Sequence, residues 1–223
     1  MTVANVYLDR PHKANALDSA GLLKLKKEFE TLRDDPELRV VVLAGKGANF
    51  CGGADVNELK SLNPSTAGAF VEKIHQVCSA IRALPVPVVA RLHGAVIGAG
   101  LEIAAACDLR VAAGDASFAM PEVRLGIPSV VEAALLPRLV GSGRAAWLVL
   151  TGEAIDARRA LEWGLVEEVA TDLDLAVEKL VNSLLAGDRE ALRMQKQLLQ
   201  LWEEAPLSTA VAASIERFAQ ARR

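Results

Sequence analysis

Aromatic residues are scarce in this chain: Phe, Tyr and Trp make up 4% of 223 residues, with a single tyrosine. It therefore has no stretch of rings interleaved with basic residues on which nucleic-acid bases could stack. Positive charge is not in excess either. The 25 Lys and Arg are outnumbered by 28 Asp and Glu, for a net charge of −3 and a pI near 5.7. That balance leaves no electrostatic footprint for nucleic acid or an anionic membrane. His12, His75 and His93 are the only histidines and never fall at metal-ligand spacing, so no metal site is expected. Cys51, Cys78 and Cys107 lie far apart without a CxxC pair, which predicts small buried hydrophobes in a reducing, cytoplasmic compartment. No apolar run approaches the ~18 residues of a membrane span, and the N-terminus lacks a signal-peptide layout. A GxSxG elbow and a GxxxxGK[ST] phosphate loop are both missing. Gly98-Ala99-Gly100 begins like a dinucleotide fingerprint but lacks its third glycine.

What the chain has is aliphatic. Its 52% hydrophobic content and mean hydropathy of +0.25 come from Ala, Val and Leu, and exclude intrinsic disorder. The length predicts one domain, and surface scaling predicts about 9,800 Å² of accessible surface for a compact chain of this mass. Val3 to Leu8 reads as a strand. Asp18 then caps a helix with Leu22, Leu25, Phe29 and Leu32 on one face. Val40 to Ala44 is a continuous apolar run closed by Gly45, suited to a strand covered on both faces. Asn63-Pro64-Ser65 opens a second helix with Phe70, Ile74, Val77 and Ile81 inward, and Val86 to Leu92 is the next strand. Gly94 to Gly100 reads as a turn, Leu101 to Cys107 as a short helix and Leu109 to Ala112 as a fourth strand. Beyond Ser129 the pattern is mostly helical, with helix stops at Gly141 and Gly164 and one short strand over Leu165 to Val169. Helices over 172–186, 190–202 and 207–222 close the chain. Alternating strands and helices followed by helices alone predict an α/β fold with a helical C-terminal layer.

Two glycine-rich turns stand out: Asn49-Phe50-Cys51-Gly52-Gly53-Ala54-Asp55, and His93-Gly94 through Gly98-Ala99-Gly100-Leu101-Glu102. Each follows a buried strand. Glycines there let the backbone approach a ligand and leave peptide N–H groups open, and two such turns side by side could aim two donors at one oxygen. Each segment taken alone also reads as an ordinary strand-to-helix turn. Glu102 opens the apolar run Ile103 to Cys107, and Glu122 follows Ala119-Met120-Pro121. Two carboxyls in apolar surroundings can divide acid and base roles, one pKa rising by burial and mutual repulsion. Taken singly, Glu102 also fits a helix N-terminus and Glu122 an edge or surface position.

Five segments in order carry a resemblance. They are Arg10-Pro11 through Asn15-Ala16-Leu17; Phe50 to Asp55; His93-Gly94 through Glu102 to Cys107-Asp108; Pro121-Glu122 through Ile127-Pro128; and Thr151-Gly152 through Ala157, Ala160 and Gly164-Leu165-Val166. On these the chain resembles the enoyl-CoA hydratase/isomerase (crotonase) family. The resemblance implies a spiral of ββα units over residues 1–170, carrying a CoA-thioester site, and a C-terminal helical trimerisation region over 171–223. It also implies that relatives extend beyond both ends. The oxyanion donors fall on the N–H groups of Ala54 and Ala99, where many relatives have glycine. Glu102 would deprotonate the water that attacks the β-carbon of a 2-enoyl-CoA, and Glu122 would protonate the α-carbon.

CoA would lie along the Arg10 to Ala16 loop and the Ala54 to Glu58 segment, with Lys13, Ala14, Ala16, Gly53, Asp55, Val56 and Gly98 among its contacts, and Lys46 beside Lys13 as a phosphate contact. The pattern departs after Pro128, where Ser129-Val130-Val131-Glu132-Ala133 replaces a glycine-rich stretch. Ser129 is expected near the acyl pocket, and Glu132 at a surface helix position. No separate cofactor is implied, since CoA enters with the substrate. The implied assembly is a homotrimer or a hexamer of paired trimers. An isomerase or thioester hydrolase on the same scaffold, and a non-catalytic or RNA-binding member, are the alternatives.

Overall fold

A computed structural model of the protein describes residues 2–221. The chain begins with β1 (Val3–Leu8), α1 (Ser19–Arg33), β2 (Val40–Gly45), α2 (Val56–Ser61), α3 (Ala67–Arg82) and β3 (Val88–Leu92). It continues through β4 (Ala95–Ile97), α4 (Ala99–Ala106), β5 (Leu109–Ala113) and β6 (Ser117–Ala119). Two 3-10 turns, Pro121–Leu125 and Val131–Leu135, precede α5 (Leu136–Val140) and α6 (Ser142–Thr151). After β7 (Ile155–Asp156), α7 (Ala157–Trp163) and β8 (Glu168–Ala170), the chain ends in α8 (Leu173–Ala186), α9 (Arg189–Glu204) and α10 (Leu207–Gln220). The last predicted helix extended to Arg222, which lies outside the described residues.

The long strands form one parallel sheet in the order β1-β2-β3-β5-β8. Beside it, β4 pairs parallel with β6, and β6 antiparallel with β7. Two isolated parallel bridges, Leu17 to Ala54 and Cys51 to Val96, extend the short layer backwards along the chain. Each turn of the spiral is therefore a long strand, a short paired segment and a helix. This is an α/β fold with the strand, short paired segment and helix repeat that the resemblance implies.

The apolar run of β2 explains why the sheet is covered twice. Strand side chains alternate between faces, so Val41 and Leu43 enter the large core built on α1, α3 and α4, while Val40 and Val42 enter a second core. The second core is closed by Leu173, Ala176, Val177 and Val181 of α8. Helix α1 begins where Asp18 accepts from the Gly21 N–H at 2.7 Å, and it buries Leu22, Leu25 and Phe29.

The structure corrects the sequence reading in several places. The segment Gly94 to Gly100 is not all turn, because Ala95–Ile97 is a paired strand. The strand expected over Leu165 to Val169 instead runs Glu168–Ala170. The helix opened by Asn63-Pro64-Ser65 is the third, since α2 precedes it.

Helix α9 is tied down by a buried ammonium. Lys196 Nζ donates to Asp108 Oδ2 (2.8 Å), to the Val86 carbonyl (2.9 Å) and to the Ile81 carbonyl (3.4 Å). Asp108 Oδ2 also accepts the Val88 N–H at 2.7 Å. Breaking such a buried pair from one side strands the other charge and the carbonyls. Lys196→Ala is therefore expected to cost about 3 kcal/mol, read as a lower urea midpoint at unchanged m-value. An unchanged midpoint would remove this pair as the anchor of α9.

Candidate active site

The site is assembled where the two glycine-rich turns meet. In the first, Cys51 N–H donates to the Ala95 carbonyl (2.9 Å) and Ile97 N–H to the Cys51 carbonyl (3.0 Å), pinning the turn against β4. Leu17 N–H donates to the Gly53 carbonyl and Asp55 N–H to the Leu17 carbonyl, both at 2.8 Å. Because backbone groups alternate along an extended segment, the Ala54 N–H between these two bonds points the other way. In the second turn, Gly98 N–H donates to the Ala119 carbonyl at 2.9 Å, and Ala99 opens α4. A first-turn N–H has no acceptor within its own helix, so the Ala99 N–H is open.

Glycines make this approach possible. A Cβ on Gly53 (φ +95°) would stand 2.9 Å from the Ile97 carbonyl oxygen and 3.9 Å from the Ala99 nitrogen. On Gly100 it would stand 2.6 Å from the Cys51 Cβ. The positive φ of the second turn is taken by Gly98 (φ +52°), and Ala99 is not among the residues with positive φ. An alanine at 99 thus presents its N–H without strain.

Both glutamates come to this place. Glu102 is buried in α4, and its Oε1 accepts the Ala133 N–H at 3.0 Å. Burial pushes its carboxyl up to about 8, with the negative charges of Glu122 and Glu132 adding to the rise and the Ala133 N–H opposing it. Glu122 is half-buried on the 3-10 turn entered through Pro121. Ser129 Oγ donates to its Oε2 at 2.9 Å, and its Oε1 lies over Gly98, 2.4 Å from where a Cβ would be. Ser129 therefore contacts a carboxyl of the site directly. The three thiols are buried and unpaired, and burial raises those of Cys51 and Cys107 to about 12. No thiolate nucleophile is available there.

The loop before α1 docks on the first turn. Asn15, buried and left-handed (φ 57°), accepts the Arg10 N–H at 2.8 Å and donates to the Lys46 and Asn49 carbonyls at 2.9 and 2.7 Å. Ala14, also left-handed (φ 50°), accepts the Gly52 N–H at 2.7 Å. Arg10 Nη1 holds the Ala16 carbonyl at 2.7 Å. Lys13 is exposed at the loop tip and Val56 at the start of α2. A cleft lined by Tyr7, Arg10, Ala16, Asp18, Lys24 and Glu28 flanks the loop.

Two of the residues expected to touch CoA have partners inside the protein. Asp55 caps α2 through the Asn57 N–H (3.0 Å) and pairs with Arg10 (3.2 Å), and these contacts hold its carboxyl below the usual range. Lys46 pairs with Asp9 at 2.6 Å.

Glu132 is a correction. Expected on a surface, it is buried, and its Oε1 lies 2.8 Å from His75 Nδ1. Sequence reasoning weighed His75 only as a metal ligand and gave it no other role. The available signal was the apolar frame around Glu132, Val130-Val131 before it and Ala133-Ala134-Leu135-Leu136 after it, the same signal that singled out Glu102. Among the described residues, no cluster of His, Cys, Asp and Glu is placed to hold a metal ion.

The two glycine-rich turns thus lie beside two carboxyls, Glu102 buried in α4 and Glu122 over Gly98. The chain matches the family described as "Enoyl-CoA hydratase/isomerase" over residues 1–222 and belongs to that family. It is 33% identical over 220 residues to the crotonyl-CoA hydratase of Syntrophomonas wolfei, covering 97% of this chain and 85% of that one. It is 34% identical over 222 residues to the short-chain-enoyl-CoA hydratase of Clostridium acetobutylicum, covering 98% and 85%. The crystal structure of an enoyl-CoA hydratase from Mycobacterium smegmatis superposes with a TM-score of 0.93 at 35% identity, covering 96% of this chain and 85% of that one.

Proposed function

We propose that this protein is an enoyl-CoA hydratase that adds water syn across the 2,3 double bond of a 2-enoyl-CoA. The observation that carries the reading is the pair of carboxyls, Glu102 buried and Glu122 held by Ser129 over Gly98, beside the open N–H groups of Ala54 and Ala99. The two N–H groups hold the thioester oxygen as enolate charge develops on it. Glu102 takes a proton from the attacking water, and Glu122 delivers one to the α-carbon. A single carboxyl suffices to shuttle a proton in an isomerisation, whereas hydration uses both. CoA runs along the Arg10 to Ala16 loop towards Lys13 and Val56, and Ser129 borders the acyl pocket.

The test is loss of the conjugated ultraviolet absorbance of crotonyl-CoA and longer 2-enoyl-CoAs. For a base whose pKa is about 8, the ionised fraction, and with it kcat/KM, rises about tenfold per pH unit below that value and levels off above it. No loss with any chain length, or conversion of 3-enoyl-CoA alone, would overturn the hydratase reading.

We also propose a homotrimer or a dimer of trimers in the cytoplasm. Leu199 and Trp202 of α9 and Leu207, Val211 and Ile215 of α10 are exposed. The accessible surface, 11127 Å², exceeds the ~9,800 Å² of a compact chain this size, as a subunit with apolar helices to bury would show. Among the described residues, no helix is long and apolar enough to cross a membrane.

A further inference from the structure

The strained segment after Ser129 places a third carboxyl at this site. Val131 has φ 43°, a conformation that β-branched residues rarely adopt and that persists only where its surroundings enforce it. That backbone turns Glu132 inward and, one residue on, aims the Ala133 N–H at Glu102 Oε1 (3.0 Å). Glu132 Oε1 faces His75 Nδ1 at 2.8 Å, and Ser79 Oγ lies 3.3 Å from His75 Nε2. Glu132 Oε2 is buried without a hydrogen-bond partner among the described residues. His75 is half-exposed on α3, so the chain of contacts runs from the buried Glu132 carboxyl to solvent.

We propose that Glu132, held in place by His75, is a positioning residue of this site, whose carboxylate beside Glu102 governs when water can be deprotonated. The groups facing Glu132 are few. Helix α4 presents Glu102, and α3 presents His75 and Cys78. Arg138 of α5 turns instead to Glu203, 3.7 Å away. Burial first, then the charges of Glu132 and Glu102, raise the Cys78 thiol, so it stays protonated and adds no charge.

The proposal rests on the hydratase reading for its consequence but not for its test. In protein labelled with ¹³C at the glutamate carboxyls, Glu102 is assigned by its loss in Glu102→Gln and titrated without substrate. Glu132→Gln removes a neighbouring negative charge, so Glu102 should ionise about one pH unit lower. Glu132→Asp keeps that charge, so Glu102 should ionise close to its wild-type pH. The rising limb of kcat/KM for crotonyl-CoA should move to lower pH in Glu132→Gln and stay in place in Glu132→Asp. A merely structural contact would lower turnover or stability in both variants without separating their titrations. An unmoved Glu102 titration in Glu132→Gln, or the same shift in both variants, would overturn the proposal. The Glu132→Gln shift without hydration of any enoyl-CoA would support it and reject the hydratase reading instead.

Discussion

Glu122→Gln should lower the turnover of 2-enoyl-CoA hydration by about 10²–10⁴-fold while KM moves only a few fold. The amide keeps the size of the side chain, its place over Gly98 and an oxygen to accept from Ser129 Oγ, so geometry is retained and only the transferable proton is lost. Glu102→Gln should produce a loss of the same order, because its amide cannot take a proton from water. The double variant should fall little below either single one, since the two carboxyls act as a unit on one addition. Steady-state kinetics on crotonyl-CoA measure all three. More than a tenth of wild-type turnover in Glu122→Gln would mean that this carboxyl does not deliver the proton, and the division of labour between the two glutamates would have to be redrawn.

Much of this arrangement was legible because it is written locally. The run Val40 to Ala44 announces a strand buried on both faces, and the spacing of Leu22, Leu25 and Phe29 behind Asp18 announces α1. Elements made by distant partners were not legible. Strands β4, β6 and β7 have two or three residues each, too few for a periodicity, and they exist because Val96 finds Phe118 and Phe118 finds Ile155. Helix α2 is polar and six residues long, so nothing apolar marks it, and the Asp55 that caps it was read as a ligand contact. Lys196 sits on an amphipathic helix like any solvated lysine, and only Asp108 and the carbonyls of Ile81 and Val86 explain its burial. Glu132 was misplaced for the same reason. Its partner His75 lies 57 positions away, and the φ of Val131 that turns it inward is a tertiary effect that no propensity encodes.

The second large effect should come from a single methyl group. Gly98→Ala is expected to reduce kcat by about 10²-fold, with a loss of stability of only about 1–3 kcal/mol. Two physical causes act together at this position. Its backbone (φ 52°, ψ −122°) is one that residues with a Cβ rarely occupy, which accounts for the stability loss. The new Cβ would also stand 2.4 Å from Glu122 Oε1, so that carboxyl must leave the space between the second turn and Ser129. Gly141 separates the two causes. It has φ 83°, and a Cβ there meets nothing within 4 Å. Gly141→Ala should therefore carry the strain alone, with a lower Tm and kcat within about twofold of wild type. Melting and kinetics on the two variants decide between strain and displacement. If Gly98→Ala retained wild-type kcat, Glu122 would be free to act from elsewhere, and its hold over Gly98 would be incidental to the chemistry. If both variants lost kcat alike, backbone strain rather than the displaced carboxyl would be the cause.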